Sequence, residues 1–238
     1  MIAALPMYDR PQTQDANDRL WALVHGHLTD LGIPSPPELT RDRPLWDIWI
    51  APDLVLAQTC GGPYREKLHP TVTLVGTPDY ALPGCPPGYY NSVVIARQSG
   101  DADPFDRPRL AYNDPLSQSG WFAAKSFARH HGITFSATLE TGAHANSVTA
   151  VLNGQADLAF IDAHTWRMIC KWDQTDGLTE LARTQPTPGL PLITSPGHDR
   201  QALFDAVHQS ITDLPDHDRT TLGIAGLIDI SADAYLVA

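Results

Sequence analysis

Short apolar runs alternate with helix-patterned stretches along almost the whole chain, and two proline-bearing segments interrupt that alternation. Ile2 to Met7, Asp53 to Ala57, Val72 to Val75 and Asn91 to Ala96 are runs of β type, bounded by Pro, Gly or polar residues. Asp15 to Leu31 carries Leu20, Leu23, Val24, Leu28 and Leu31 at helical spacing and stops at Gly32. After residue 108 the pattern resumes. A strand from Arg109 to Tyr112 precedes a helix from Ser119 to His131, and a strand from Phe135 to Glu140 precedes a helix from Asn146 to Leu152. Asp157 to Ile161 and Leu178 to Arg183 are further β runs, with a helix from Ala163 to Trp172 between them. Leu192 to Thr194 leads to a last helix, Asp199 to Leu214, with Ala202, Leu203, Ala206, Val207, Ser210 and Ile211 on one face. Such alternation predicts the α/β class with mostly parallel sheets.

The interruptions set the domain organisation. Ser99 to Pro108 is polar and holds Gly100, Pro104 and Pro108, while Thr184 to Pro191 holds three prolines and a glycine. Read as connectors, they predict one bilobal unit. Residues 1–98 and 192–238 form a discontinuous lobe, and 99–191 a continuous inner lobe. With 42% hydrophobic and 18% charged residues, the chain has material for two cores.

Charge excludes one class of partner. The formal net charge is -11 and no Lys/Arg run occurs, so no nucleic acid is expected. A small anionic ligand stays compatible with this, because backbone N–H groups bind anions locally. Three cysteines, Cys60, Cys85 and Cys170, without CxxC spacing argue against a disulfide framework or a zinc site. Unpaired thiols are expected, with a Cys60–Cys85 bridge as the alternative. No transmembrane segment is expected, since no run approaches the length of a span. The first residues have neither a basic region nor a long apolar stretch. The expected location is cytoplasmic as the sequence stands, and periplasmic if a leader was removed.

Three segments carry candidate chemistry. Asn113 to Trp121 follows a strand and opens a helix. Ser117 or Ser119 suits its N-cap, and the first N–H groups of a helix lack internal partners and sit at the positive end of its dipole. Small side chains there, Gly120 included, let an oxyanion come close, although a Ser at a helix start also serves as an ordinary cap. Glu140 to Ser147 repeats the strand, loop and helix order and puts His144 at a strand's C-terminal mouth, where open α/β sheets bind ligands. Val151 to Asp162 ends a helix at Gly154, runs through a buried strand and closes on Asp162. That carboxylate suits a hydrogen bond from a protonated phosphate oxygen or an amine, and equally an N-cap.

Enzyme signatures are missing. There is no G-x-S-x-G elbow, P-loop, G-x-G-x-x-G or H-E-x-x-H, so no catalytic residue, metal or cofactor is assigned. His25 with His27, and His130 with His131, do not have helix-face ligand spacing.

The order strand–SxSG–helix, then TGAHxxS, then helix–NGxADxAxID resembles the phosphate/phosphonate solute-binding proteins of ABC transporters, which have the type 2 periplasmic-binding fold. The resemblance covers essentially the whole chain and is strongest over residues 109–165. It implies two lobes joined by hinge connectors, a ligand cleft between them, and uptake through an ABC permease. It also implies an oxyanion held by Ser117, Gln118, Ser119 and Gly120, with His144 and Asp162 completing the pocket. From the first lobe it implies aromatic contacts from Tyr8 and Tyr90, and Gln58 and Thr59 facing the cleft. Gln118 stands where the phosphonate binders carry a further hydroxyl, which leaves an amide in its place. The alternatives are a cytoplasmic enzyme on the same fold, with Asp162 or His144 as acid/base, and the sensing domain of a regulator.

Overall fold

The computed structural model describes residues 1–97 and 103–237. The chain divides into two compact units. Met1–Tyr89 with Pro188–Ala238 forms the first, and Tyr90–Thr187 the second.

Unit 1 is built on a five-stranded sheet in the order Ile2–Ala4, Leu54–Gln58, Leu192–Thr194, Thr73–Asp79, Gly226–Ile228. Both faces of this sheet are covered, which explains its uninterrupted apolar strands. On one face the helices Gln14–Asp30 and Arg200–Asp213 bury Leu20, Trp21, Val24 and Leu28 with Leu203, Ala206, Val207 and Ile211. On the other, Ile48, Trp49, Tyr64, Leu68 and Tyr235 pack on Ile2, Ala4, Leu54 and Ala57. The expected apolar stripe of the first helix holds as far as Leu28. Leu31 lies beyond the last turn and is 59% exposed. Gly32, at φ +69, takes the left-handed conformation that ends the helix.

Unit 2 is a second five-stranded sheet, in the order Ala137–Glu140, Arg109–Tyr112, Leu158–Asp162, Ser92–Arg97, Leu178–Arg183. Arg109–Tyr112 pairs parallel with both of its neighbours. Ser92–Arg97 runs antiparallel to Leu158–Asp162 and to Leu178–Arg183. The helices Ala123–His131, His144–Leu152 and Ala163–Trp172 connect these strands.

The expectation of mostly parallel sheets is corrected, because both sheets are mixed. In unit 1 the strand that returns after residue 187 enters antiparallel between Leu54–Gln58 and Thr73–Asp79. A long return segment can insert in either direction, and periodicity does not record which. The unit boundaries also differ from those read off the connectors. The connectors place the run from Asn91 in the first lobe, yet among the described residues its strand Ser92–Arg97 pairs with strands of unit 2, and the chain crosses at Tyr89–Tyr90 and at Thr187–Pro188. Residues 99–102 of the expected first connector, with Gln98 before them, lie outside the described residues. Among the described residues there is no disulfide, and no helix is long and apolar enough to cross a membrane.

Candidate functional site

In unit 2 the parallel strands Arg109–Tyr112, Ala137–Glu140 and Leu158–Asp162 end at one edge of the sheet, and the antiparallel strand starts there, with Ser92 opposite Asp162. The segments leaving this edge carry Asn91, Asn113, Ser117 to Gly120, His144 and Asp162. This is where open α/β sheets place ligands.

The helix opening is specific in its geometry. Ser117 has an extended backbone and caps the helix, its Oγ accepting from Gly120 N at 3.0 Å. The first turn, Gln118–Phe122, is a wide π-type turn, in which Trp121 N and Phe122 N both donate to Ser117 O, at 3.1 and 3.0 Å. Such single wide turns recur at functional sites. Ser117, Gln118, Ser119 and Gly120 are all buried. A Cβ on Gly120 would stand 1.9 Å from Asn113 Oδ1, so the Asn113 amide lies directly against this glycine.

Two residues far apart in sequence meet at this turn. Ser119 Oγ lies 2.9 Å from His144 Nε2. Ser119 O accepts from Ser92 Oγ at 2.9 Å, which ties the turn to the neighbouring strand. Thr141 Oγ1 and Ser147 Oγ, 2.7 Å apart, brace the loop that presents His144. Burial pushes the His144 imidazole down to about 4, so it is neutral at physiological pH. The protonated ring, a stronger donor to an anion, is therefore absent near neutrality. Asp162 is 2% exposed, and its Oδ1 accepts from His164 N at 2.8 Å and Thr165 N at 2.9 Å. It caps the next helix, one of the two roles its position suggested.

His144 gives a pH dependence with a definite sign. Its folded value lies below the free value of 6.5, so the unfolded chain binds more protons between those limits. Stability from the neutral ring is fully present above 6.5 and is lost as pH falls toward about 4. Relative to His144→Gln, the unsubstituted protein should lose about 1–3 kcal/mol over that interval in urea titrations at stepped pH. Parallel pH profiles for the two proteins would contradict this.

Of the candidates expected from the first lobe, Tyr8, Gln58 and Thr59 lie in unit 1 and Tyr90 in unit 2. Tyr8 meets Tyr80 edge-on, with ring centroids 4.9 Å apart. Gln58 Nε2 donates to Tyr80 Oη at 3.1 Å and to Leu190 O at 3.4 Å. Thr59 is fully buried, and its Oγ1 has no partner among the described residues. Gly61–Pro63, directly after these residues, begins a helical segment that continues through Leu68. Tyr90 is buried at the start of unit 2. Sequence reading does not single out Asn91, Ser92, Asn113 or Tyr80 as site residues. Their polar side chains at strand ends were the available signal.

No group of three or more His, Cys, Asp or Glu side chains suited to a metal occurs among the described residues. No Lys or Arg belongs to the unit 2 set, so its donors are N–H and O–H groups of neutral residues.

Comparison with known proteins gives many structures of the same fold. A Xanthomonas citri protein bound to ATP aligns with a TM-score of 0.71 at 13% identity, covering 98% of this chain and 92% of that one. A Prochlorococcus marinus protein in complex with methylphosphonate aligns at 0.71 and 14% identity, covering 98% and 94%. The binding-protein component of an ABC phosphonate transporter from Pseudomonas aeruginosa aligns at 0.65 and 15% identity, covering 100% and 83%. These likenesses show the two-lobed periplasmic-binding fold. No curated protein sequence matches the chain. One family profile does, over residues 65–235, and it describes transporter substrate-binding proteins rather than enzymes. With well over half of its length matched, the chain belongs to the family of periplasmic phosphonate substrate-binding proteins of ABC transporters.

Proposed function

We propose that this protein captures a small phosphorus oxyanion, a phosphonate or phosphate, for uptake through an ABC permease. The observation that carries the reading is the buried turn from Ser117 to Gly120, with Ser119 held 2.9 Å from a neutral His144 at the C-terminal edge of the sheet. A helix N-terminus supplies the positive end of a dipole and N–H groups with no helical partner. Ser119 adds a hydroxyl whose direction the imidazole fixes. Neutral donors of this kind bind an anion without a buried cation that would need its own counter-charge. Ser117, Gln118, Ser119, Gly120 and His144 are the proposed contacts in unit 2, with Asp162 behind them as the cap that fixes the neighbouring segment. Tyr8, Gln58, Thr59 and Tyr90 are proposed as further ligand contacts.

The similar structures support the ligand class, since two of them hold methylphosphonate and ATP, both phosphorus oxyanions. A third, from Rhodopseudomonas palustris, holds malate (TM-score 0.63, 14% identity, covering 95% and 90%), so carboxylates belong in any screen. The family works with a membrane permease, and we propose the same partner and a periplasmic location here.

A thermal-shift screen with phosphate, phosphite, alkyl phosphonates, sulfate and carboxylates tests the reading. A ligand at about a hundred times its Kd should stabilise the fold by about 2.7 kcal/mol. Ser119→Ala should weaken the responding oxyanion roughly tenfold to hundredfold, the range for a hydrogen bond to a charged group. No shift with any phosphorus oxyanion would overturn the assignment.

A further inference from the structure

The chain passes between its two units twice, at Tyr89–Tyr90 and at Thr187–Pro188, and these two short strands pair with each other. Their bases in unit 1 are in tight contact. Gly189 N donates to Gly88 O at 2.8 Å, and a Cβ on Gly189 would stand 2.7 Å from that oxygen. Glycine is the residue that lets two backbones come so close.

Both bases rest on one later segment, the strand Gly226–Ile228 and the residues that follow it to Tyr235. Gly88 lies against Ile228 and Ile230, since a Cβ there would stand 3.0 Å from Ile228 Cβ and 3.0 Å from Ile230 Cδ1. Tyr89, next in the chain, packs in the same cluster as Ile228, Ile230 and Tyr235. Gly189 lies against Thr77, whose methyl group would be 3.2 Å from an added Cβ. Thr77 is in turn held by the later segment. It pairs with Ile228 across the sheet and shares a hydrogen bond with Tyr235 Oη at 2.5 Å. Tyr235 is buried, and Tyr64 meets its ring edge-on at 5.3 Å. The segment thus reaches the outgoing strand directly and the returning strand through Thr77. Any rotation of one unit against the other has to be absorbed at these two crossings.

Resting on the ligand-capture reading above, we infer that Ile228, Ile230 and Tyr235 are positioning residues that brace the two crossing strands and so set ligand affinity without touching the ligand. Braced strands have few conformations to give up when the protein closes on a ligand, so capture costs less ordering. A loosened brace adds that cost whatever the ligand is. Affinity then falls by one common factor for all ligands, whereas loss of a contact residue changes their relative affinities.

The experiment joins native-state hydrogen exchange of the ligand-free full chain to isothermal titration with methylphosphonate and with phosphate. Ile230→Ala and Tyr235→Phe should each speed exchange of the Gly189 N–H at least about tenfold relative to amides of the strand Leu54–Gln58. Both ligands should weaken by the same factor, about threefold to tenfold. Ile230→Leu keeps the side-chain volume and should restore both readings. Val207→Ala removes apolar volume from the cluster on the opposite face of the sheet and should leave both readings unchanged, which separates bracing from stability. Unchanged Gly189 exchange in both variants, or affinities that stay the same or shift by unequal factors, would overturn the inference and leave the ligand reading standing. Failure of both ligands to bind the unsubstituted protein would overturn the ligand reading and the affinity effect, and Gly189 exchange alone would then decide the brace.

Discussion

Alanine at position 120 should lower stability by about 1–3 kcal/mol and remove measurable binding of the ligand. The cause is packing rather than backbone strain, since Gly120 is not among the residues with positive φ. An added Cβ would stand 1.9 Å from Asn113 Oδ1 and 3.3 Å from Ser117 Oγ. The Asn113 amide has to swing off the turn, and the Ser117 cap on Gly120 N is disturbed with it. Under the proposed binding mode the displaced turn also no longer presents its first N–H groups to an oxyanion. The two consequences separate in a double variant. Gly120→Ala with Asn113→Ala relieves the clash, so it should recover about 1 kcal/mol or more relative to the sum of the single changes. Binding should not return in full, because the added Cβ still crowds Ser117 Oγ, the cap of the turn. Urea denaturation of the four proteins and titration with the responding ligand give both readouts. Additive stabilities would show that Asn113 does not pack on Gly120 as described.

The same residues show what a sequence reveals and what it withholds. The apolar periods of Gln14–Asp30, Arg109–Tyr112 and Ala163–Trp172 are legible because helices and strands impose their period on the side chains they bury. The turn at Ser117 to Gly120 is legible as well, since small hydroxyl residues and glycine between a strand and a helix suit few other roles. The pairing of Ser119 with His144 is not, because 25 positions separate them and only the sheet order brings their loops together. Asn91 opens an apolar run and Asn113 follows a strand, so neither residue type marks its place at the site. That the Oδ1 of each is buried appears only in the packed structure. Short helices such as Leu45–Trp49 are too brief to impose a period, and tertiary contacts around Trp49 hold that one in place. The strand Ser92–Arg97 is apolar whichever sheet receives it, so its run reads clearly while its unit does not.

Phe160→Ala should be the most damaging single core change in unit 2, at about 3–5 kcal/mol. Phe160 is 1% exposed and lies in the middle of Leu158–Asp162, opposite Val94. It shares a cluster with Val94, Ala96, Leu110, Ala124 and Leu158, all of them buried. Its ring meets Phe127 edge-on at 5.4 Å, and Phe127 in turn lies 4.2 Å from the His131 ring at the end of the helix Ala123–His131. Removing the phenyl group takes its contact area out of the core and leaves a cavity that the surrounding strands cannot close. Edge-to-face pairs add about 0.5–1.5 kcal/mol beyond area, so a cycle with Phe127→Ala should show coupling of that size. Hydrogen exchange should then lose protection first in the strands that flank Leu158–Asp162, namely Ser92–Arg97 and Arg109–Tyr112. Affinity should fall with stability, because the damaged strand ends in Asp162 and its neighbour carries Ser92, which holds Ser119 in place. Excess ligand should therefore restore part of the lost stability by mass action. A loss below about 1 kcal/mol would mean that the core around Phe160 repacks freely, and that the site's rigidity does not depend on this strand.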